Sequence, residues 1–240
     1  MKLNPIIESQ DIKNVQSFFK KFKNHPNVKM RIKKNIKKHS IDLSKEHFWR
    51  RMITCILTSQ QKWQKAETFT NLNPFPLDFQ KCLKKKNLKD YVQKEITKFG
   101  GLRFANNISK QVYENLEWIQ SGGWETLFEK MKNLKKTPNK KNERELSKFI
   151  DENLSGFGPK QSRNLLQDLG LTINEIPIDS RMMKWLNKFG FPIHLTASGL
   201  ADENYYNFIL DIFQELCSKA KIYPCLMDAA IFSSFDKENI

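Results

Sequence analysis

The chain has 240 residues, 39% of them hydrophobic, which is enough to bury one core or two lobes that share a cleft. Its formal net charge of +15 favours a polyanionic partner such as nucleic acid, although general lysine enrichment would also produce this charge. Four scattered cysteines without a Cys-x-x-Cys pair, and four dispersed histidines, argue against an iron–sulfur cluster and a zinc site and indicate reduced thiols in a cytosolic or nuclear-type compartment.

The first 45 residues combine an amphipathic helical pattern with a basic segment at residues 29–38. Residues 1–15 are mixed and charged, so they predict neither a signal peptide nor a membrane span. We interpret the basic segment as a solvated face rather than as a DNA contact. Residues 1–45 are therefore expected to form a basic helical segment that packs on the second of two lobes.

Helical patterns continue from Glu46, with a break at Thr58-Ser59-Gln60-Gln61. A loop and a basic surface helix are predicted over residues 71–90. The sequence Phe99-Gly100-Gly101-Leu102-Arg103 then opens another helix. Residues 132–144 are the most polar part of the chain and predict an exposed loop.

The stretch Leu154-Ser155-Gly156-Phe157-Gly158-Pro159-Lys160 lies between two helical patterns and predicts a tight hairpin. Gly156 and Gly158 would allow positive φ and a close approach of the backbone to a ligand. Pro159 suits the first position of the second helix, where its missing N–H costs nothing. The N-terminus of that helix would then present N–H groups and the positive end of its dipole to a phosphate.

Lys160 falls in the first turn of this second helix. The helix dipole and burial both disfavour its cationic form and so favour a neutral amine nucleophile. Nineteen positions further on, Asp179 opens another amphipathic helix, which it can cap, or it can direct its carboxylate back at Lys160. Taken singly, the three features are usually a turn, a solvated lysine and a helix cap.

Together they resemble the helix-hairpin-helix DNA glycosylase superfamily, whose motif ends in a Gly/Pro-rich loop and an aspartate. The Lys–Asp pair is similar to the bifunctional branch, which includes endonuclease III and 8-oxoguanine DNA glycosylase, and the chain is most like the latter. The resemblance implies an all-α, two-lobed fold with DNA in the cleft between the lobes. It places the wedge loops in a helical lobe at residues 46–145, and the hairpin, the catalytic aspartate and the C-terminal helices at residues 146–240.

The same resemblance assigns the residues that would hold a kinked duplex. Gln60 matches an amide that fills the gap left by a flipped nucleotide. Leu102 matches a second wedge, and Arg103 matches an arginine that faces the base opposite the lesion. The DNA-binding set is completed by Gly156, Gly158 and Arg181.

Residues 227–233 resemble the final helix of the 8-oxoguanine enzymes. Asp228 falls where the family commonly has a glutamine that reads the base edge, and a carboxylate there can accept from guanine N1–H and from the exocyclic amine. Phe232 falls where an aromatic ring stacks on the base. An exposed helix carboxylate and core packing are the ordinary alternatives for these two residues.

The implied reaction is base excision repair of an oxidised purine, with 8-oxoguanine as the expected lesion. Lys160 would attack C1′ and expel the base, Asp179 would stabilise the cationic sugar, and the Schiff base would permit β-elimination. No metal or organic cofactor is expected, and a structural alkali ion on the hairpin carbonyls is left open. We expect a monomer that binds double-stranded DNA, without a membrane, in the cytoplasm and nucleoid or in a eukaryotic nucleus.

Three other functions stay open at this point. A monofunctional glycosylase for another damaged or mismatched base would leave Lys160 incidental. A non-catalytic helix-hairpin-helix protein would bind DNA with the two glycines and need neither Lys160 nor Asp179. A basic helical interaction module would have no DNA role.

Overall fold

A computed structural model describes residues 6–37, 41–59 and 63–235. The all-α prediction is confirmed, because these residues form thirteen α-helices and no strand. The helices are α1 (Ser9–Phe22), α2 (Pro26–Arg31), α3 (Lys45–Leu57), α4 (Trp63–Thr70), α5 (Phe79–Leu83), α6 (Leu88–Phe99), α7 (Ala105–Trp118), α8 (Trp124–Lys136), α9 (Lys140–Asn153), α10 (Pro159–Asp168), α11 (Ser180–Phe189), α12 (Glu203–Lys219) and α13 (Pro224–Ser234). None of the described helices is long and apolar enough to cross a membrane.

The exposed loop predicted for residues 132–144 is wrong. Most of this stretch is helical, since α8 runs to Lys136 and α9 begins at Lys140. Except for the buried Glu143, most polar residues lie on the outer faces of these helices, while Met131, Leu134 and Leu146 face the core. The helical pattern was not recognised because lysine and asparagine are abundant in this stretch and its apolar positions are few.

Buried hydrophobic side chains of the described residues form two main cores. The larger core extends from Phe48 on α3 to Leu171, just after α10, and so includes both hairpin helices. The second core joins Val15 on α1 to the side chains from Ile176 to Ile231. The chain therefore passes from one core to the other between residues 171 and 176. The division of the chain at residues 45 and 145 stays a prediction.

The N-terminal helices cover the second core. α1 packs on α12 and α13, and α2 packs on α13. Phe18 on α1 lies 5.2 Å from Trp185 on α11, measured between ring centroids. The amphipathic pattern at the start of the chain thus exists because these side chains fill a groove between the C-terminal helices.

The segment that joins the two cores has no regular structure, and a buried carboxylate holds it. Glu143 on α9 is 1% exposed and accepts hydrogen bonds from the backbone N–H groups of Ile173 at 3.1 Å, Asn174 at 2.8 Å and Glu175 at 3.0 Å. It also accepts from the hydroxyl of Thr172 at 2.5 Å. Since a buried N–H without a partner is costly, Glu143 replaces the hydrogen bonds that a helix would have supplied.

Glu143→Gln should lower the free energy of unfolding by about 2–3 kcal/mol, because the amide brings an N–H₂ donor against a group of N–H donors. The measurement is urea unfolding followed by circular dichroism. Glu145→Gln is the matched control, since Glu145 lies on the same helix with 62% of its side chain exposed. Equal losses in the two variants would contradict a structural role for the buried carboxylate.

Candidate active site and nucleic-acid interface

The hairpin between α9 and α10 forms where the sequence predicted it. Gly156 has a φ of +85°, a left-handed conformation that favours glycine, and a Cβ at this position would lie 2.6 Å from the end of the Gln111 side chain, which would have to move. Gly158 differs from the prediction: its φ is −143°, an extended conformation that any residue adopts. A Cβ on Gly158 would meet nothing within 4 Å, so this position faces open space.

The first turn of α10 lacks a side-chain cap, which leaves its N-terminus available to a ligand. Gly158 is the N-cap and has no side chain to accept from the first-turn N–H groups, and Pro159 occupies the first helical position as predicted. Lys160 follows in this turn and is partly exposed. A partly exposed lysine therefore lies in the first turn of a helix whose N-terminus has no side-chain cap, and such an N-terminus is a suitable place for a phosphate.

Side chains from α7 fix the hairpin in place. Asn115, 1% exposed, donates from Nδ2 to the carbonyl of Ser155 at 2.9 Å and accepts from the N–H of Ser155 at 2.7 Å. The Ser155 hydroxyl donates to Glu114 at 2.6 Å. The hairpin backbone is thus held before any ligand arrives, which reduces the cost of ordering it on binding.

The first turn of α10 also contacts the end of α3. Gln161 donates from Nε2 to the carbonyl of Cys55 at 2.7 Å. α3 leads directly into the predicted wedge segment, so this hydrogen bond brings the start of that segment towards the hairpin. Gln60 itself lies outside the described residues, and its predicted role stays a prediction.

Asp179 is the N-cap of α11, as predicted. Its Oδ1 accepts from the N–H groups of Arg181 and Met182, each at 2.9 Å. Its Oδ2 lies 3.7 Å from the Arg181 guanidinium. In the part of the chain that the structure describes, Asp179 forms no ion pair with Lys160, so the predicted approach of the two side chains stays a prediction.

The loop between α6 and α7 carries an exposed aromatic residue that the sequence pattern did not single out. Phe104 is 49% exposed and has a φ of +64°, a left-handed conformation that costs a non-glycine residue about 1–2 kcal/mol. The guanidinium of Arg103 lies 5.3 Å from its ring centroid. Leu102, the predicted wedge, is partly buried and packs against the larger core. An aromatic residue that directly follows a basic residue, three positions after a pair of glycines, is the signal that could have identified Phe104.

Asp228 and Phe232 lie on α13 and face α11. The Arg181 guanidinium lies 4.0 Å from the ring centroid of Phe232, so these two predicted site residues contact each other. Gln167 on α10, which the sequence pattern did not single out either, donates from Nε2 to Asp228 at 3.1 Å. This hydrogen bond holds the carboxyl group of Asp228 against the hairpin helix α10.

The surroundings of Asp228 favour its neutral form. Burial raises the pKa of Asp228 to about 7; the guanidinium of Arg31 opposes this shift, and the carboxylate of Asp179 adds to it. Asp179 is therefore close enough to Asp228 to act on its titration. Two carboxyl groups with different environments, one beside an arginine and one desolvated, are a common arrangement for acid and base roles in a single site.

Residues 28–222 match the family model of the 8-oxoguanine DNA glycosylases. The chain belongs to the 8-oxoguanine DNA glycosylase family. A curated relative, the 8-oxoguanine DNA glycosylase/AP lyase of Sulfolobus acidocaldarius, is 24% identical over 187 residues, which are 78% of this chain and 81% of the relative.

Solved structures of family members share the fold. The 8-oxoguanine DNA glycosylase of Methanocaldococcus jannaschii superposes with a TM-score of 0.71 at 15% identity, covering 94% of this chain and 95% of that one. Its complex with a 15-mer DNA containing 8-oxoguanine gives 0.69 at 15% identity, covering 92% and 97%. The enzyme of Thermotoga maritima gives 0.67 at 13%, covering 94% and 97%. The predicted two-lobed helix-hairpin-helix glycosylase fold is therefore confirmed.

Stability should fall as the pH rises through the titration of Asp228. Its folded pKa of about 7 lies above the ordinary value of 3.8, so the folded state holds a proton that the unfolded chain has released. This contribution to stability is complete below the unfolded pKa and is lost as the pH rises through the folded pKa. Asp228→Asn should remove the decline between about pH 4 and 7, measured as Tm at each pH.

Asp78→Asn is the control for this titration series, because asparagine caps a helix as well as aspartate does and Asp78 caps α5. Its Tm should follow that of the parent at every pH. Parallel curves for the parent and Asp228→Asn would contradict the raised pKa.

Proposed function

We propose that this protein is a bifunctional DNA glycosylase and AP lyase that excises an oxidised purine, 8-oxoguanine in the first place, from double-stranded DNA. The observation that carries the proposal is the position of Lys160, beside the uncapped N-terminus of α10 at the end of a rigid hairpin. Membership of the 8-oxoguanine DNA glycosylase family supports the choice of lesion. The Methanocaldococcus jannaschii enzyme forms a crystalline complex with DNA containing 8-oxoguanine, which supports the choice of partner.

In this proposal the hairpin binds the DNA backbone without reading sequence. The first-turn N–H groups of α10 and the positive end of its dipole meet a phosphate, and the open space at Gly158 lets the backbone approach it. Arg181 adds a second basic contact near the site. The net charge of +15 attracts the duplex over a longer range.

The loop before α7 fills the space that the flipped nucleotide leaves in the duplex. Phe104 has the exposure and the shape to enter the stack where a nucleotide has left it, and Arg103 beside it can donate to the estranged base. Leu102 packs behind them, against the larger core. Gln60 is proposed as the amide that fills the same gap from the other side.

The flipped base enters the space beside α13. Asp228 accepts from the N1–H and exocyclic amine of a guanine-type edge, and Gln167 keeps its carboxyl group in place. The ring of Phe232 stacks on the base. Because Arg181 covers a face of this ring in the free protein, the base either displaces that guanidinium or uses the opposite face.

The chemistry then needs only side chains. The amine of Lys160 forms a bond to C1′ while the glycosidic bond breaks, and the base leaves with the proton that Asp179 takes from the amine. Asp179 stabilises the developing positive charge on the sugar and accepts a proton from the amine. Opening of the C1′–O4′ bond gives the Schiff base, removal of a C2′ proton follows, and the 3′-phosphate leaves by β-elimination.

One observation favours a second candidate, a non-catalytic DNA-binding protein of the same fold. The carboxylate of Asp179 is engaged by its own helix and by Arg181, and within the described ranges it has no ion pair with Lys160. A protein that only binds DNA needs this cap and the hairpin but no reacting amine. Trapping of a covalent intermediate separates the two candidates.

Lys160→Gln should abolish the covalent adduct that borohydride traps on a duplex containing 8-oxoguanine, and should slow excision at least about a hundred-fold, because the variant lacks the amine that attacks C1′. Asp179→Asn should keep the helix cap and the fold, since asparagine caps as well as aspartate, yet also slow excision about a hundred-fold. Both are measured under single-turnover conditions, with Lys219→Gln at an exposed end of α12 as the control.

The outcomes separate the candidates. An adduct that forms only on an abasic site would keep the lyase and replace 8-oxoguanine by another lesion. Base release that persists in Lys160→Gln would indicate a monofunctional glycosylase. Tight duplex binding by the parent without release or adduct on any substrate would leave the non-catalytic protein.

Phe104→Gly should weaken duplex binding about ten-fold, because a base-stacking aromatic contributes about 1–3 kcal/mol. The Tm should stay the same or rise, because glycine adopts a φ of +64° without strain. Fluorescence anisotropy with a duplex that carries an abasic analogue gives the affinity. The control is Tyr223→Ala, which removes another exposed aromatic residue, 52% exposed. Unchanged affinity in Phe104→Gly would exclude Phe104 as the wedge.

A further inference from the structure

We infer that Tyr206, together with the buried guanidinium of Arg163, positions Asp179 relative to Lys160. Neither residue reaches the open space at the hairpin, and both are fully buried, at 0% exposure. They are positioning residues, since they act through the two peptide segments that precede the reacting side chains. The inference rests on the proposed function, and it names the side chains that hold the two proposed catalytic residues in position.

The hydroxyl of Tyr206 closes the segment directly before Asp179. It accepts from the N–H of Ile178 at 2.5 Å and donates to the carbonyl of Ile176 at 3.0 Å. Pro177 between them has no N–H of its own. Ile178 is 4% exposed, so water cannot replace Tyr206 at this N–H without opening the core. The hydroxyl therefore fixes where α11 and its cap begin.

Arg163 connects this tyrosine to the residue that precedes Lys160. Its Nη1 donates to the carbonyl of Pro159 at 2.9 Å, and its guanidinium lies 4.5 Å from the ring centroid of Tyr206. The contacts run from the peptide before Lys160, through one guanidinium and one phenol, to the peptide before Asp179. Two side chains in direct contact therefore join the two peptides.

The rest of the Arg163 side chain is anchored from other directions. Its Nε donates to Glu175 at 2.8 Å, and its Nη2 donates to Glu203 at 2.8 Å and to Asn207 at 2.7 Å. A guanidinium held by two carboxylates and an amide has little freedom to rotate. It can therefore hold α10 and the segment before α11 at a fixed distance from each other.

The buried guanidinium of Arg163 lies where the two cores meet, which indicates a positioning role in addition to packing. The helix that bears Lys160 belongs to the larger core, whereas Ile176, Ile178 and the helix after Asp179 belong to the second core. Hydrophobic contacts within each core do not set the distance between the two. Burying charges is costly unless every donor is satisfied. Here one donor of the guanidinium bonds the peptide before Lys160, and the phenol that the guanidinium contacts bonds the peptide before Asp179.

Removal of the Tyr206 hydroxyl should therefore slow the reaction and leave DNA binding intact. Tyr206→Phe keeps the ring beside Arg163 and loses the two hydrogen bonds to the segment before Asp179. A displacement of about 1 Å between reacting groups costs up to about a hundred-fold in rate, so we expect single-turnover excision of 8-oxoguanine to fall about ten- to a hundred-fold. The Kd for a duplex with a tetrahydrofuran abasic analogue should stay within about two-fold, since the hairpin contacts are unchanged.

Tyr91→Phe is the matched control for a structural effect. The Tyr91 hydroxyl donates to the carbonyl of Pro76 at 2.7 Å, in a loop of the other lobe. Both variants lose a tyrosine hydroxyl that donates to a carbonyl of an irregular segment, so both should lower the Tm. Only Tyr206→Phe should lower the excision rate per DNA-binding site. Glu203→Gln, which loosens one anchor of Arg163, provides a milder second variant and should slow excision by a smaller factor.

Each outcome has a definite meaning. Excision by Tyr206→Phe at the parent rate, with a lowered Tm like that of Tyr91→Phe, would overturn the positioning role and leave the proposed function standing. If Tyr206→Phe does not fold, Glu203→Gln decides in the same way: slower excision with unchanged Kd supports the role, and the parent rate overturns it. Absence of excision by the parent itself would overturn the proposed function and the inference with it.

Discussion

The ion pair between Arg163 and Glu175 is the interaction on which the arrangement of the two cores depends. Both side chains are completely buried and their charged atoms lie 2.8 Å apart. Such a pair is stable only when the remaining donors and acceptors are also satisfied, and here Glu203, Asn207 and the carbonyl of Pro159 satisfy them. Loss of any one partner would leave a buried hydrogen-bonding group unsatisfied. The network therefore admits essentially one arrangement of α10, α12 and the segment between residues 171 and 179.

The irregular segment between residues 171 and 179 explains why so many polar side chains are buried near the candidate site. It crosses from one core to the other without helical hydrogen bonds, so side chains must satisfy its backbone. Glu143 does so at the beginning of the segment, Gln214 donates to the carbonyl of Asn174 at 2.9 Å in the middle, and Tyr206 does so at the end. An irregular stretch of chain that buried polar groups hold at each step has little freedom to move. Under the proposed mechanism this rigidity matters, because the segment leads directly to Asp179.

The sequence predicted the elements whose information is local, and it missed those that depend on distant partners. The hairpin was predicted because Gly156 and Pro159 restrict the backbone on their own, and the Asp179 cap because an aspartate before an amphipathic run has a local use. Gly158 was misjudged because a glycine in sequence does not reveal whether it needs positive φ or merely open space. Glu143 and Arg163 were missed because a buried charge looks like a surface charge until its partners, tens of residues away in the chain, are placed beside it.

The titration of Asp228 follows from the same balance between burial and partners. In the free protein desolvation outweighs Arg31, so the carboxyl group holds a proton near neutral pH. A guanine-type edge would bring N–H donors to this carboxyl, and hydrogen bonds to the charged form lower a pKa. Base binding and loss of the proton are then linked: the base binds better where the proton leaves more easily, and a base without these donors leaves Asp228 neutral. If Asp228 contacts the base as proposed, this carboxyl group, held by Gln167, would distinguish a purine that offers donors from one that offers acceptors, because only the former stabilises the ionised state.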